Sequence, residues 1–196
     1  MITKTLKNAT KEQHQELEKI VNVLDESASL DSYKNLLLKF YRIYSALEPK
    51  LPVDELIEQS FDYRRRQKLP LLIADLGSLG ILEFADRLIP YPEIPDMKNA
   101  ARAFGAAYVI EGSTLGGQMI SRHLREHLGI TPDSGSAFFS SYGREVGAMW
   151  KEFCDAANAF AVRHPETGDM IIAAAKETFA AFAKCFLEPL KMNGTN

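Results

Sequence analysis

Cysteine is scarce in this 196-residue chain, with Cys154 and Cys185 alone and no Cys-x-x-Cys spacing. No disulfide framework, zinc ribbon or iron–sulfur ligand set follows from such a pair. No apolar leader opens the chain and no apolar run approaches the roughly 18 residues of a membrane span, so a reduced, cytoplasmic protein is expected. Excess charge is missing too. A formal net charge of −3 supplies no field for a nucleic acid, and the one dense basic run, Arg64-Arg65-Arg66 with Lys68, reads as a solvated helix face. Neither G-x-G-x-x-G nor a P-loop occurs, so no bound dinucleotide can serve as an internal electron source. No stretch shows the two-residue alternation of a strand.

What is present is helical rhythm from end to end, at 46% hydrophobic residues, enough to bury one core; an all-α single domain over 1–196 is expected. Leu6, Ala9, Gln13, Leu17, Ile20 and Leu24 trace a first helix. Asp31 is the candidate N-cap of a second, carrying Tyr33, Leu37, Phe40, Tyr44 and Leu47 and ended by Pro49 and Pro52. A third runs from about Val53 toward Leu76, broken or kinked near Pro70. Gly77, Gly80, Pro90, Pro92 and Pro95 make the longest irregular stretch. A helix from about Asp96 to Leu128 stops at Gly129, Thr131-Pro132 opens another to about Arg163, and Pro165 opens the last.

Two features stand out against this background. Lys7, Lys11, His14 and Glu18 are spaced four, three and four, so they share one face of the first helix. A carboxylate one turn beyond an imidazole can hold its Nδ1 proton, directly or through water, and leave Nε2 free as a metal ligand. Two lysines on the same stripe suit anionic groups. A ligand with a central metal and peripheral carboxylates satisfies all four, and haem is one; the competing reading is a half-exposed helix with salt links and one satisfied histidine. The second feature is Gly112, Gly116 and Gly117 inside the long helix, each costing about 1 kcal/mol relative to alanine. A Cβ-free face admits something flat and wide, or a tightly packed neighbouring helix. Ser113 and Thr114 lie among these glycines and can donate or hold water near a bound gas.

The segment Leu6 to His14, followed by Glu18, resembles the proximal helix of heme oxygenases. Tyr108 to Ile120, with its Gly-Ser-Thr-Leu-Gly-Gly-Gln core, looks like their distal helix, and Tyr41 to Glu48 is similar to their second-helix stretch. The similarity spans most of the chain, with the flavour of the bacterial, biliverdin-producing branch. It implies a heme-oxygenase-like multi-helix fold and haem as both substrate and cofactor, cleaved with O₂ at a meso carbon to biliverdin, carbon monoxide and ferrous iron. Implied roles are His14 as axial iron ligand, Glu18 as its partner, Lys7 and Lys11 near the propionates, Gly112, Gly116 and Gly117 against the distal face, and Lys151 at another propionate. Catalytic participation falls to His14, Gly112, Ser113, Thr114 and Gly116. Animal members carry an aspartate where this chain has Ser113, and an arginine near the place of Asp155.

Electrons would come from an external donor, a ferredoxin- or flavin-type reductase, and a monomer or weak dimer is the simplest state. The Arg64 to Lys68 run is a candidate docking patch for that donor beside its reading as a solvated face. Two other functions compete: a non-catalytic haem carrier or sensor, kept alive by Ser113, and a haem-free enzyme of the same fold. His123, Glu126 and His127 also match the H-x-x-E-H pattern of inverted zinc peptidases, but no third ligand is evident. Phe179, Phe182 and Phe186 read as core or as the wall of a porphyrin edge. His164 reads as a cap, and the two cysteines as small buried hydrophobes.

Overall fold

Helices make up every regular element in the computed structural model of the chain, which describes residues 1–21 and 29–193. Leu24, expected at the end of the first helix, lies outside those residues. Among the described residues the only sheet-like pairing is one isolated bridge between Leu88 and Met192.

The first predicted helix is divided at Thr10 into α1 (Ile2–Ala9) and α2 (Lys11–Val21). Thr10 leaves helical geometry, at φ −115 and ψ 9, and its hydroxyl donates to the Leu6 carbonyl at 2.8 Å. Such back-bonding by threonine bends a helix without ending it. The backbone bonds Thr10 N to Leu6 O and His14 N to Thr10 O survive, so the polar stripe stays in register across the bend.

Helix α3 (Leu30–Leu47) is capped by Ser29, two residues before Asp31. Ser29 exchanges hydrogen bonds with Ser32 in a reciprocal box at 2.8 and 3.1 Å. Asp31 sits inside the first turn, where its charge suits the positive helix end. The segment from Val53 onward is three pieces instead of one kinked helix: α4 (Val53–Glu58), a 3₁₀ turn over Tyr63–Arg66, and α5 (Leu69–Ser78). Ser60 at φ 64 breaks the first junction. At the second, the Glu48 carboxylate accepts from the backbone N–H groups of Lys68 at 2.6 Å and Leu69 at 2.9 Å, capping α5 from a distant helix end.

After α6 (Leu82–Ala85) the chain runs without regular structure to Asn99, the N-cap of α7 (Ala100–Leu128). This 29-residue helix is the axis of the molecule. Its N-terminal half is buried all round by alanines, Phe104, Val109 and Ile110, and α10 (Gly168–Leu187) lies against it so closely that a Cβ on Gly105 would stand 2.3 Å from the Ile171 carbonyl oxygen. Gly129 ends α7 in the left-handed conformation, at φ 68, as its position implies.

Thr131-Pro132 opens only a 3₁₀ turn. Gly135 at φ 127 and Ser141 at φ 35 then cut out a short α8 (Ala137–Ser140). The long helix expected from Thr131 is therefore α9 (Val146–Arg163) alone. His164 caps α9 and Pro165 begins a 3₁₀ turn leading into α10. One hydrophobic core, rich in phenylalanine and tyrosine, joins α3, α7, α9 and α10.

Candidate functional site

Between the α1–α2 arm and the C-terminal half of α7 lies an open cavity of about 870 Å³. That is near the upper end of the range for ligand pockets. Lys7, Lys11, His14 and Glu18 border it on one side, and Gly112, Ser113, Thr114, Gly116 and Gly117 on the other. The two motifs, about a hundred residues apart in sequence, therefore face one space.

On the first wall, His14 Nδ1 lies 3.4 Å from Glu18 Oε2, a contact long for a direct hydrogen bond but of the right polarity to orient the ring. The imidazole is 53% exposed and is braced edge-on by Phe179, with ring centroids 5.9 Å apart. Lys7 and Lys11 are exposed at the rim, where cations meet carboxylates without a large desolvation cost.

The glycines of the second wall separate into two kinds. A Cβ on Gly116 would touch nothing within 4 Å, and one on Gly112 would meet only the Trp150 ring, at 3.8 Å. Their missing side chains leave room in the cavity. Gly117 also borders the cavity, but a Cβ there would stand 2.2 Å from the Phe139 carbonyl oxygen. Close approach of α8 is thus enough to require its glycine. Ser113 Oγ donates to the Ile110 carbonyl and Thr114 Oγ1 to the Glu111 carbonyl, both at 2.7 Å. Their protons are committed to the helix, so both hydroxyls offer lone pairs to the site. Ser113 also contacts Tyr44, whose buried phenol is pushed far above its ordinary range, first by desolvation and then by Glu48.

Two expectations are corrected here. Lys151 is not on the cavity wall: it is 76% exposed on α9, and its Nζ bonds Asp155 at 2.6 Å. The Arg64 to Lys68 run is not one solvated face, because Arg66 and Lys68 are each 1% exposed. Arg64 and Arg65 stay exposed, at 64% and 55%, and are tied to Asp62 and Glu152. His123 and His127 stack on each other with ring centroids 4.0 Å apart, and no group of three metal-ligating side chains occurs among the described residues.

Phe179 and Phe182 serve as core and as cavity wall at once, whereas Phe186 packs on Phe40 away from the cavity. Sequence reasoning missed Lys68, Leu115 and Met119 on the wall. Leu115 and Met119 are exposed apolar residues, at 46% and 63%, four apart on α7, and that stripe beside the glycines was the available signal. Lys68 carried none.

The cavity suits a planar macrocycle. One wall carries an oriented imidazole with cations at its rim, and the other lacks Cβ atoms where a flat face would lie. The family model described as heme oxygenase matches residues 1–188. A heme oxygenase of Xanthomonas campestris pv. campestris is 36% identical over 98 residues, which is 49% of this chain and 54% of that protein; the matched stretch thus spans about half of the curated relative. The fold matches the NO- and CO-bound heme oxygenase of Neisseria meningitidis with a TM-score of 0.77 at 21% identity, covering 100% of this chain and 98% of that one. It also matches the heme oxygenase of Leptospira interrogans with a TM-score of 0.72 at 16% identity, covering 94% and 98%.

Proposed function

This chain belongs to the heme oxygenase family, and on that premise we propose that it takes haem into the cavity between α2 and α7 and opens the ring oxidatively at a meso carbon, giving biliverdin, carbon monoxide and ferrous iron. The observation that carries the reading is the pairing of walls: His14 beside Glu18 on one, and on the other Gly116 with open space above it and Gly112 with only the Trp150 ring in reach. Haem when bound supplies both the iron that activates O₂ and the carbon that is oxidised. The protein's own residues do the rest.

His14 holds the iron through Nε2, and the Glu18 carboxylate favours the Nδ1-protonated tautomer that this requires. Lys7 and Lys11, on the rim, hold the propionates and so set the in-plane rotation of the ring. At Gly116 the α7 backbone can approach the macrocycle closely and exclude bulky ligands from one side. Ser113 and Thr114, with their protons spent on α7 carbonyls, accept from water and orient it. Electrons come from an external donor of the ferredoxin or flavin-reductase type, and the protein works in the cytoplasm as a monomer or weak dimer.

A non-catalytic haem carrier is the second reading, favoured by one observation: neither Ser113 nor Thr114 has a free proton to give. One experiment decides. The purified chain is mixed with hemin, the spectrum recorded, and a reductant added under air. A Soret shift followed by bleaching and the rise of a bilin band is the expected result. A stable haem complex that survives reduction would identify a carrier, and absence of a Soret shift would refute haem binding altogether.

A further inference from the structure

Lys68 enters the cavity wall from the start of α5, and neither the proximal stripe nor the glycine face accounts for it. Its ammonium is seated in a polar cluster packed under α7. Nζ donates to the Tyr142 hydroxyl at 2.5 Å and to the Arg66 carbonyl at 2.6 Å, and stands 3.5 Å from Glu111 Oε1. Tyr142 donates in turn to that same carboxylate oxygen at 2.8 Å. Arg66 Nη1 bonds the other oxygen at 2.5 Å, while its Nη2 reaches Glu152. Glu111 is 0% exposed and directly precedes Gly112, so the cluster is fixed to the turn of α7 that forms the distal wall.

The charges in this cluster are not symmetrically placed. Glu111 and Glu48 do not border the cavity, and the Glu48 carboxylate is spent on the Tyr63 hydroxyl and two backbone N–H groups. Apart from the residues of α1 and α2, Lys68 is the only charged group among the described residues on the cavity wall. Lys68 is therefore the one charged member of the cluster that reaches the cavity wall. Burial pushes the Lys68 ammonium below its ordinary range, against the pull of Glu111 and Glu48; a negative charge across the cavity would relieve that cost.

Resting on the functional reading above, we infer that Lys68 is a positioning residue of the α7 side of the site: anchored by Tyr142 and Glu111, it makes the cavity discriminate in favour of an anionic over a neutral ligand opposite His14. Negative charge that builds up there as electrons are delivered would be stabilised by the same field.

The test uses the hemin complex of the full chain, titrated with azide as the anionic probe and with imidazole, under conditions where it is neutral, as the uncharged one. Lys68→Met should weaken azide by about tenfold or more, the scale of one charge pair in a partly buried site, and leave imidazole nearly unchanged. Lys68→Arg should restore most of the azide affinity. Lys68→Gln, which keeps a hydrogen-bonding side chain in the cluster without its charge, should weaken azide alone as Lys68→Met does, and it carries the test if Lys68→Met does not fold. An unchanged azide-to-imidazole ratio in these variants, or equal weakening of both ligands, would overturn the inference while leaving haem binding standing. If the wild-type chain forms no hemin complex, the functional reading itself fails.

Discussion

Glycine 116 and glycine 117 are chemically identical neighbours whose absent side chains answer to different demands. Open space above the first means that Gly116→Leu should cost no stability, and leucine's better helix propensity should raise it by up to about 1 kcal/mol. The same variant should lose hemin binding, as read by titration of the Soret band. Gly117→Ala should do the reverse at the level of folding: a Cβ 2.2 Å from the Phe139 carbonyl forces α7 and α8 apart, at a cost of about 1–3 kcal/mol by urea denaturation. Equal stability of the two variants would contradict the assignment. Spacing alone showed that His14, Glu18 and the lysines share a face, because helical geometry fixes it locally. It did not show what each glycine faces, since an absent side chain carries no mark of its neighbour. At the iron, Glu18→Gln should keep haem binding but weaken it or slow turnover by about 10- to 100-fold, as outer-shell partners of metal ligands do. Unaltered affinity and rate would remove Glu18 from its orienting role.

At the level of elements, α8 owes its position to a carboxylate from elsewhere in the chain. Asp75, buried on α5, accepts from the backbone N–H groups of Ala137 at 2.7 Å and Phe138 at 2.8 Å, and so sets the phenylalanines of α8 against the cavity. Desolvation raises its pKa to about 6, against the smaller pull of those two hydrogen bonds. The folded state thus binds this proton more tightly than the unfolded chain does. Its contribution is fully present at low pH and is lost as pH rises from about 4 through about 6, at roughly 1.4 kcal/mol per pKa unit of difference. Urea titrations of wild type and Asp75→Asn across that window should diverge, the wild type losing relative stability as pH rises. Parallel curves would remove Asp75 as the source. The same kind of long-range partnership explains what the sequence hid. Element boundaries marked by local chemistry, such as the stop at Gly129 and the start at Pro165, were legible. Glu48 capping α5 across 20 residues and Arg66 meeting Glu111 across 45 were not, and without their partners Arg66 and Lys68 look like ordinary surface charge.

For the whole molecule, likeness to the Neisseria meningitidis protein at a TM-score of 0.77 but 21% identity shows that the same fold is reached by chains that differ at most positions. The cavity is what this architecture leaves open. Burial of half the basic run also bears on how a redox donor would approach. With Arg64 and Arg65 already paired to Asp62 and Glu152, reversing both charges should leave donor-driven turnover within about twofold of wild type, since exposed pairs contribute little. A large loss would reinstate that surface as a docking site.

Under the proposed function, α2 and α7 enclose a haem whose iron is bound by His14. The most direct test of that arrangement is a crystal of the hemin complex measured at the iron absorption edge. A single strong anomalous peak at bonding distance from His14 Nε2 is expected, with the macrocycle lying under Gly112 and Gly116. A peak on any other side chain, or a ring bound outside the space between the two helices, would contradict it.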